Sequence, residues 1–418
     1  MVTAEQIICD FKEKGWDYDI YENLFKITDN PEEVFSFAWL FLDNFTKNTT
    51  VFNDSLSYIN KEQFEKLIEK SLAILKQETN ENAENVIEYA SLQFPELLHK
   101  YLDILFGLRP NKDTFYEDYL WRKLPANQIS KWVDKFLDTE TSIAHKQKLF
   151  SCLLETRDID TLNTVYQYAL ETKLFERDNI EQFLQYYIED VGFTKRNGEI
   201  TNYCPNILYH FSFKNDYFDD SDRRIYLSRK QHPTWRLQPG DEKFRFGGML
   251  EDDETNPFFH IITFEKIPQD FKISGLNKLV LGAHIREMNE WGEIFYQHNE
   301  NGYPVKINTR ETATIQYITD YAIKETFVKF ALTPQRWQFQ SWGASNSRES
   351  LFRLGGEPTW IQGAQVPVCP VCGEKMDFLM QLDTDLPDVE GGELMFGSGG
   401  ICYVFWCDKS KVSAYLMQ

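Results

Sequence analysis

Three cysteines carry the most specific chemistry in this sequence of 418 residues. Cys369-Pro-Val-Cys372-Gly373 sets two thiols three positions apart on what reads as a tight turn, with Gly373 supplying backbone freedom. Phe405-Trp406-Cys407 brings a third thiol on what reads as a strand. A Cys-x-x-Cys turn facing a distant thiolate is the donor set of a structural zinc knuckle. The stretch that begins at the third thiol reads Cys407-Asp-Lys-Ser410 and offers no fourth thiolate. Cys402 stands five residues before Cys407 and faces the other side of a regular strand. Asp408, a histidine such as His298, or water is left to complete the site. The expected metal ligands are therefore Cys369, Cys372 and Cys407, and the expected cofactor is a structural zinc. An open fourth position would instead permit metal-assisted catalysis.

The remaining reactive residues are less organised. His210, His232, His260, His284 and His298 form no His-x-x-x-His or His-Glu-x-x-His pattern. Asp383 and Asp385 alternate along one stretch before Pro387, where paired carboxylates serve acid–base chemistry or cap a turn. Cys9, Cys152 and Cys204 read as buried structural thiols. Trp235 and Trp360 each follow Pro-Thr and suit either a core or a protein-binding anchor. Glu251-Asp-Asp-Glu254 reads as a solvated loop. The sequence has no Gly-rich phosphate loop, no nucleophile elbow and no kinase signature.

Composition narrows the partners. The net charge of −21 and pI near 4.8 disfavour nucleic acid and anionic lipid, both of which need basic surface. An acidic surface favours a basic protein partner. Seven cysteines, three of them scattered singly, argue for free thiols and a cytoplasmic setting. The first residues lack a signal-peptide pattern, and no stretch approaches the ~20 apolar residues of a membrane span.

The elements that must position these groups fall into two regions. Residues 1–191 contain only Gly15 and Gly107 and carry 20 Lys and Arg against 35 Asp and Glu, a net −15. Their apolar residues recur at helical spacing. Phe64, Leu67, Ile68, Leu72 and Leu75 form one stripe after Asn60; Ile129, Trp132, Val133 and Phe136 form another. Asn30-Pro31 opens a further helix, rich in aromatics (Phe35, Phe37, Trp39, Phe41) that read as core. Helices are also expected over 141–154, 159–174 and 179–188. The region reads as an acidic, all-α, helical-repeat-like or solenoid-like domain without a fixed repeat period. Residues 192–418 read as α+β. Asn197-Gly198 marks a hairpin, and strands are expected over 207–213, 224–228, 258–264, 278–282, 294–297 and 305–308, with a helix over 311–329.

The second region repeats itself. Phe244-Arg-Phe-Gly-Gly248 matches Phe352-Arg-Leu-Gly-Gly356, Phe259 to Pro268 matches Phe378 to Pro387, and Gly292 to Tyr296 matches Gly400 to Phe405. The copies cover about 229–308 and 336–418, with Cys369 and Cys372 in an insertion confined to the second. The segments Arg353-Leu-Gly-Gly, Cys369-Pro-Val-Cys-Gly and Met376-Asp-Phe-Leu-Met-Gln-Leu-Asp-Thr-Asp-Leu-Pro387 resemble the YwqG-like bacterial family of unknown function over about 230–418. That resemblance implies a duplicated α+β domain, and the placement of family members near secreted-toxin genes implies an interaction or immunity role. It carries over no catalytic residue. The leading expectation is an immunity-type protein that neutralises a basic toxin domain by direct binding. The alternatives are a hydrolase-like enzyme with an inter-repeat, zinc-assisted cleft, and a helical-repeat scaffold.

Overall fold

The computed structural model describes residues 2–107, 119–218, 232–251, 257–285, 287, 292–307, 323–345, 349–388 and 391–418. The chain is α+β: a helical N-terminal region is followed by a large antiparallel sheet. It divides into two compact units. The first unit holds residues 1–191, 222–236 and 334–349; the second holds 192–221, 237–333 and 350–418.

The helices of the first unit are α1 Ala4–Lys14, α2 Ile20–Phe25, α3 Pro31–Asn44, α4 Thr50–Leu56, α5 Lys61–Leu75, α6 Glu81–Gln93 and α7 Leu102–Gly107. They continue with α8 Ala126–Leu137, α9 Ile143–Leu154, α10 Ile159–Thr172 and α11 Ile180–Asp190. Local chemistry sets their starts. Asn30 caps α3 with Pro31 at its first position, and Asn60 opens α5 with a reciprocal capping box to Gln63. The α5 stripe is buried at Phe64, Leu67, Ile68 and Leu72, each contributing about 1.5–3 kcal/mol of transfer free energy. In α3, Phe37 and Phe41 are core, but Trp39 lies at the surface with the Lys70 ammonium 4.1 Å from its ring centroid. The expectation that all four α3 aromatics are core is corrected at two of them: Phe35 is half-buried and Trp39 exposed, each with a lysine ammonium over its ring.

Two stretches from later in the sequence pack in this helical unit. His232 is buried, with Nε2 2.9 Å from the Ser57 hydroxyl. The Arg336 guanidinium donates to Gln93 Oε1 at 2.8 Å and to the carbonyls of Leu56 and Ser57. Those two carbonyls lie at the end of α4; the Leu56 carbonyl also accepts the Ile59 N–H, and the cation adds a donor where a helix end is short of them.

The second unit begins with a hairpin, β1 Phe193–Arg196 and β2 Glu199–Asn202, turned by Asn197 and Gly198 at positive φ. Next come β3 Leu208–Ser212, β4 Phe244–Phe246, β5 Met249–Glu251, β6 Phe258–Phe264, β7 Leu279–Ala283, β8 Glu293–His298 and β9 Pro304–Ile307. The chain ends with β10 Thr326–Leu332, β11 Arg353–Gly355, β12 Asp377–Asp383, β13 Leu386–Pro387, β14 Glu393–Leu394, β15 Ile401–Cys407 and β16 Val412–Met417. A twelve-stranded antiparallel sheet runs β5-β6-β4-β10-β3-β11-β12-β15-β16-β8-β9, with β7 also on β6. The Val280 N–H bonds the Gly302 carbonyl, tying β7 to the β8–β9 turn. Gly302 has φ +71°, and a Cβ there would meet the Lys278 carbonyl oxygen at 1.9 Å, so the approach requires glycine.

The expected helix over 311–329 is corrected. Residues 311–322 lie outside the described residues, Ile323 forms an isolated bridge to Asp388, and Thr326 onward belongs to β10, paired to β3 on one side and β4 on the other. Thr326-Phe-Val-Lys-Phe carries β-branched and aromatic residues that fit a pleated surface, and tertiary pairing decides the outcome. The expected strand over 224–228 and positions 252–254 of the acidic run lie outside the described residues, while Glu251 is exposed at the end of β5.

Candidate metal centre

Two β-hairpin turns of the second unit bring the thiols together. The first joins Val368 to Lys375 through an antiparallel bridge, with Cys369 N–H bonded to the Glu374 carbonyl and Gly373 N–H to the Cys369 carbonyl. Gly373 has φ +73°, which lets the chain reverse directly after Cys372. The second turn joins β15 to β16 with Cys407 opposite Val412, and Lys411 at φ +53° reverses the chain there. The Glu374 carboxylate and the Lys409 ammonium, 2.6 Å apart, link the two turns.

The sulfurs of Cys369, Cys372 and Cys407 all lie within 4.8 Å of one another, and those of Cys372 and Cys407 are 3.5 Å apart. A disulfide needs ~2.05 Å, and all seven cysteines are free. Four ligands ~2.3 Å from a zinc ion stand ~3.8 Å apart on a tetrahedron, close to the spacing seen. Cys369 is fully buried, Cys407 is buried and Cys372 is half-buried. Burial pushes the Cys372 thiol up, but hydrogen bonds from the Ser410 hydroxyl, the Glu374 backbone and the neighbouring thiols outweigh it and leave it below its ordinary value. Burial pushes Cys407 up to about 12, against a backbone hydrogen bond from Ser410. A cation would reverse the order of these effects by favouring every thiolate.

The residues suggested for the fourth position are held elsewhere. Asp408 accepts hydrogen bonds from Ser274 N–H and hydroxyl, Lys411 and the Trp406 indole. His298 is buried with Nδ1 3.1 Å from the Gly302 carbonyl and Nε2 2.9 Å from the Ser413 hydroxyl. Cys402 is fully buried outside the cluster, its thiol pushed up by burial. Ser410, a position that sequence reasoning noted only as a missing cysteine, is among the groups that lower the Cys372 thiol.

The other candidate residues do not converge. His260 is buried, with Nδ1 2.7 Å from the Gly247 carbonyl and Nε2 2.7 Å from the Thr263 hydroxyl. His284 Nδ1 lies 2.6 Å from the Tyr296 hydroxyl, and His210 sits on β3 opposite Arg353. Asp383 closes β12 and accepts the Thr384 N–H, while Asp385 takes φ +65° in the turn before Pro387. Cys152 and Cys204 are buried, but Cys9 is exposed on α1, which corrects its expected place in the core: Ile7, Ile8 and Phe11 fill the buried face of that helix. Trp235 and Trp360 are half-buried, the latter 4.6 Å from the Tyr403 ring. A cleft of about 370 Å³ is lined by Tyr203, Cys204, Asp270, Lys272, Asp377 and Trp406. Its two carboxylates are engaged, Asp270 by the Tyr209 hydroxyl and Asp377 by Arg196. Trp406 and Cys407 are consecutive on β15 and point to opposite faces, so the cleft does not open on the thiols.

Comparison with known proteins adds little. No family model matches this chain, and no solved structure matches it. It is similar to an uncharacterised Salmonella typhimurium protein, YpfL, with 37% identity over 66 residues, 16% of this chain and 14% of that protein. The chain therefore spans only a small part of that relative's length. Among the described residues no helix is long and apolar enough to cross a membrane.

Proposed function

We propose that this chain is a protein-binding, immunity-type protein that neutralises a basic partner, a cognate bacterial toxin domain, by direct association. The observation that carries the reading is the end of the helical unit formed by α10, α11 and their connection. Residues 171–190 hold six acids, Glu171, Glu176, Asp178, Glu181, Glu189 and Asp190, against Lys173 and Arg177. All of the acids except Glu189 are exposed. Among them Tyr186 is 42% exposed, and Phe175, Phe183 and Tyr187 form a half-buried aromatic cluster beside it. Tyr186 and Asp190 share one helix face, and burial together with that carboxylate raises the Tyr186 hydroxyl above its ordinary value. An aromatic anchor rimmed by charge of one sign suits a partner of the opposite sign. The resemblance to the YwqG-like family supports the choice of a toxin.

Co-expression with each basic product of the genes neighbouring this one tests the proposal. Protection of the cells and a 1:1 complex on size exclusion are expected. Absence of both refutes it. The hydrolase-like alternative has the cleft at Asp270 and Asp377 in its favour, but the pairing of both carboxylates weighs against general acid–base work there.

The same reading includes a structural zinc ion held by Cys369, Cys372 and Cys407, supported by their sulfur spacing. It also includes a duplication of the strand-rich unit. Strands β3-β11-β12-β15 and β10-β4-β6-β7 follow one another in equivalent order outward from the β3–β10 pair. Gly247 directly follows β4 and Gly355 ends β11, at φ +75° and +76°, and a Cβ on either would collide with a backbone carbonyl at 2.5 or 2.2 Å. Arg245 pairs with Thr263 as Arg353 pairs with Gln381, and a register shift follows in both copies, after His260 and after Phe378. This register equates His260 with Phe378, one residue out of step with the match drawn from sequence, and makes β7 rather than β8 the counterpart of β15.

A further inference from the structure

The turns at Cys369 and Cys407 have the same plan. Each begins with a cysteine whose backbone pairs with the residue five positions on, Glu374 in the first turn and Val412 in the second. Each has its fifth residue at positive φ, Gly373 at +73° and Lys411 at +53°. The fourth residue is therefore equivalent in the two turns: Cys372 in one and Ser410 in the other. By that equivalence Ser410 takes the place in the second turn from which Cys372 reaches the cluster in the first. Two facing turns of this plan with cysteine at all four positions would make a closed four-thiolate site.

We propose that Ser410 holds the fourth corner of the metal site, so that the chain binds a zinc-like divalent ion through three thiolates and one side-chain oxygen. The inference rests on the zinc reading above. An alcohol oxygen is a harder and weaker donor to zinc than a thiolate. The ion is then bound less tightly than in a four-cysteine knuckle and exchanges more readily. The substitution sits in a turn tied to β15 and β16 and to the Glu374–Lys409 ion pair, so the turn keeps its geometry without a fourth sulfur.

The test uses the full-length reduced protein, stripped of metal and titrated with cobalt(II), with zinc affinity then measured by competition against a chromophoric chelator. Wild type is expected to bind one cobalt with tetrahedral absorption and a thiolate charge-transfer band. Ser410→Cys is expected to raise that band by about a third, as a fourth thiolate joins three, and to raise zinc affinity by about tenfold or more. Ser410→Ala is expected to weaken zinc binding, and Asp408→Asn to leave it unchanged. If S410C changes neither the band nor the affinity while wild type binds metal, Ser410 is not at the corner and the inference fails. If D408N weakens binding and S410A does not, the corner belongs to Asp408. If neither wild type nor S410C takes up stoichiometric cobalt or zinc, the zinc reading itself fails. Circular dichroism of each variant separates these outcomes from loss of fold.

Discussion

Lowering the pH from 8 to 5 should destabilise the sheet unit through two histidines that the fold keeps neutral. Burial lowers His260 and His298 to about 4 each, against an unfolded value of ~6.5. Each ring makes the same pair of contacts, with Nδ1 facing a glycine carbonyl and Nε2 facing a hydroxyl. Nδ1 must carry the proton to donate, so Nε2 is the acceptor, and protonation would place a second N–H against a hydroxyl that now donates. Around His260 the charged groups that bear on it are Arg245, Glu325 and Lys278, which rank behind burial and the Gly247 carbonyl. The sign follows from linkage. Between ~6.5 and about 4 the unfolded chain takes up protons that the folded chain refuses. Stability is therefore full above ~6.5, falls as the pH drops through that window and levels off below about 4. At pH 5 each histidine has cost about 2 kcal/mol, or about 4 kcal/mol for the pair. Most carboxylates are still ionised there, which isolates the histidine contribution. Urea unfolding at pH 8, 7, 6 and 5 measures it, with His260→Gln as the comparison. The variant should start less stable and lose about 2 kcal/mol less than wild type between pH 8 and 5. Parallel pH profiles for wild type and H260Q would refute the argument, because His260 would then not be titrating differently in the two states.

Other consequences follow from single contacts. Arg336→Met removes the donor to Gln93 Oε1 and the Leu56 and Ser57 carbonyls, and should destabilise the helical unit by about 3 kcal/mol in urea unfolding. Arg122→Ala leaves the buried Glu155 carboxylate without its 2.8 Å partner and should cost about 3–5 kcal/mol; the double variant Arg122→Met/Glu155→Leu should recover part of it. Gly302→Ala should lower the melting temperature of the sheet unit by several degrees, since the added Cβ meets the Lys278 carbonyl at 1.9 Å with φ at +71°.

The parts legible in the sequence are those set by neighbours along the chain. Asn30-Pro31 and Asn60 with Gln63 announce their helices because a cap needs only three or four consecutive residues. Asn197-Gly198 announces its hairpin because both residues tolerate positive φ. The convergence of Cys369, Cys372 and Cys407 could be anticipated from one Cys-x-x-Cys turn and one strand end. What escaped depends on distant partners. Thr326–Leu332 is a strand because β3 and β4 flank it, and nothing within those seven residues names those partners. Arg336 belongs with the helices because it finds two carbonyls at the end of α4, some 280 residues earlier. The role of Ser410 emerges only when the two turns are set side by side, since a serine in a turn carries no signal of its own.

The most direct test of the proposed binding account is calorimetric titration of the purified protein with a basic domain taken from the products of the neighbouring genes. It should be run for wild type and for Glu176→Lys/Glu181→Lys and Tyr186→Ala, at two ionic strengths. The account predicts a 1:1 complex that weakens as salt is raised, loses about tenfold or more in affinity with Y186A, and weakens further with the charge reversals. No binding by the wild-type protein, or binding indifferent to salt and to all three substitutions, would contradict it.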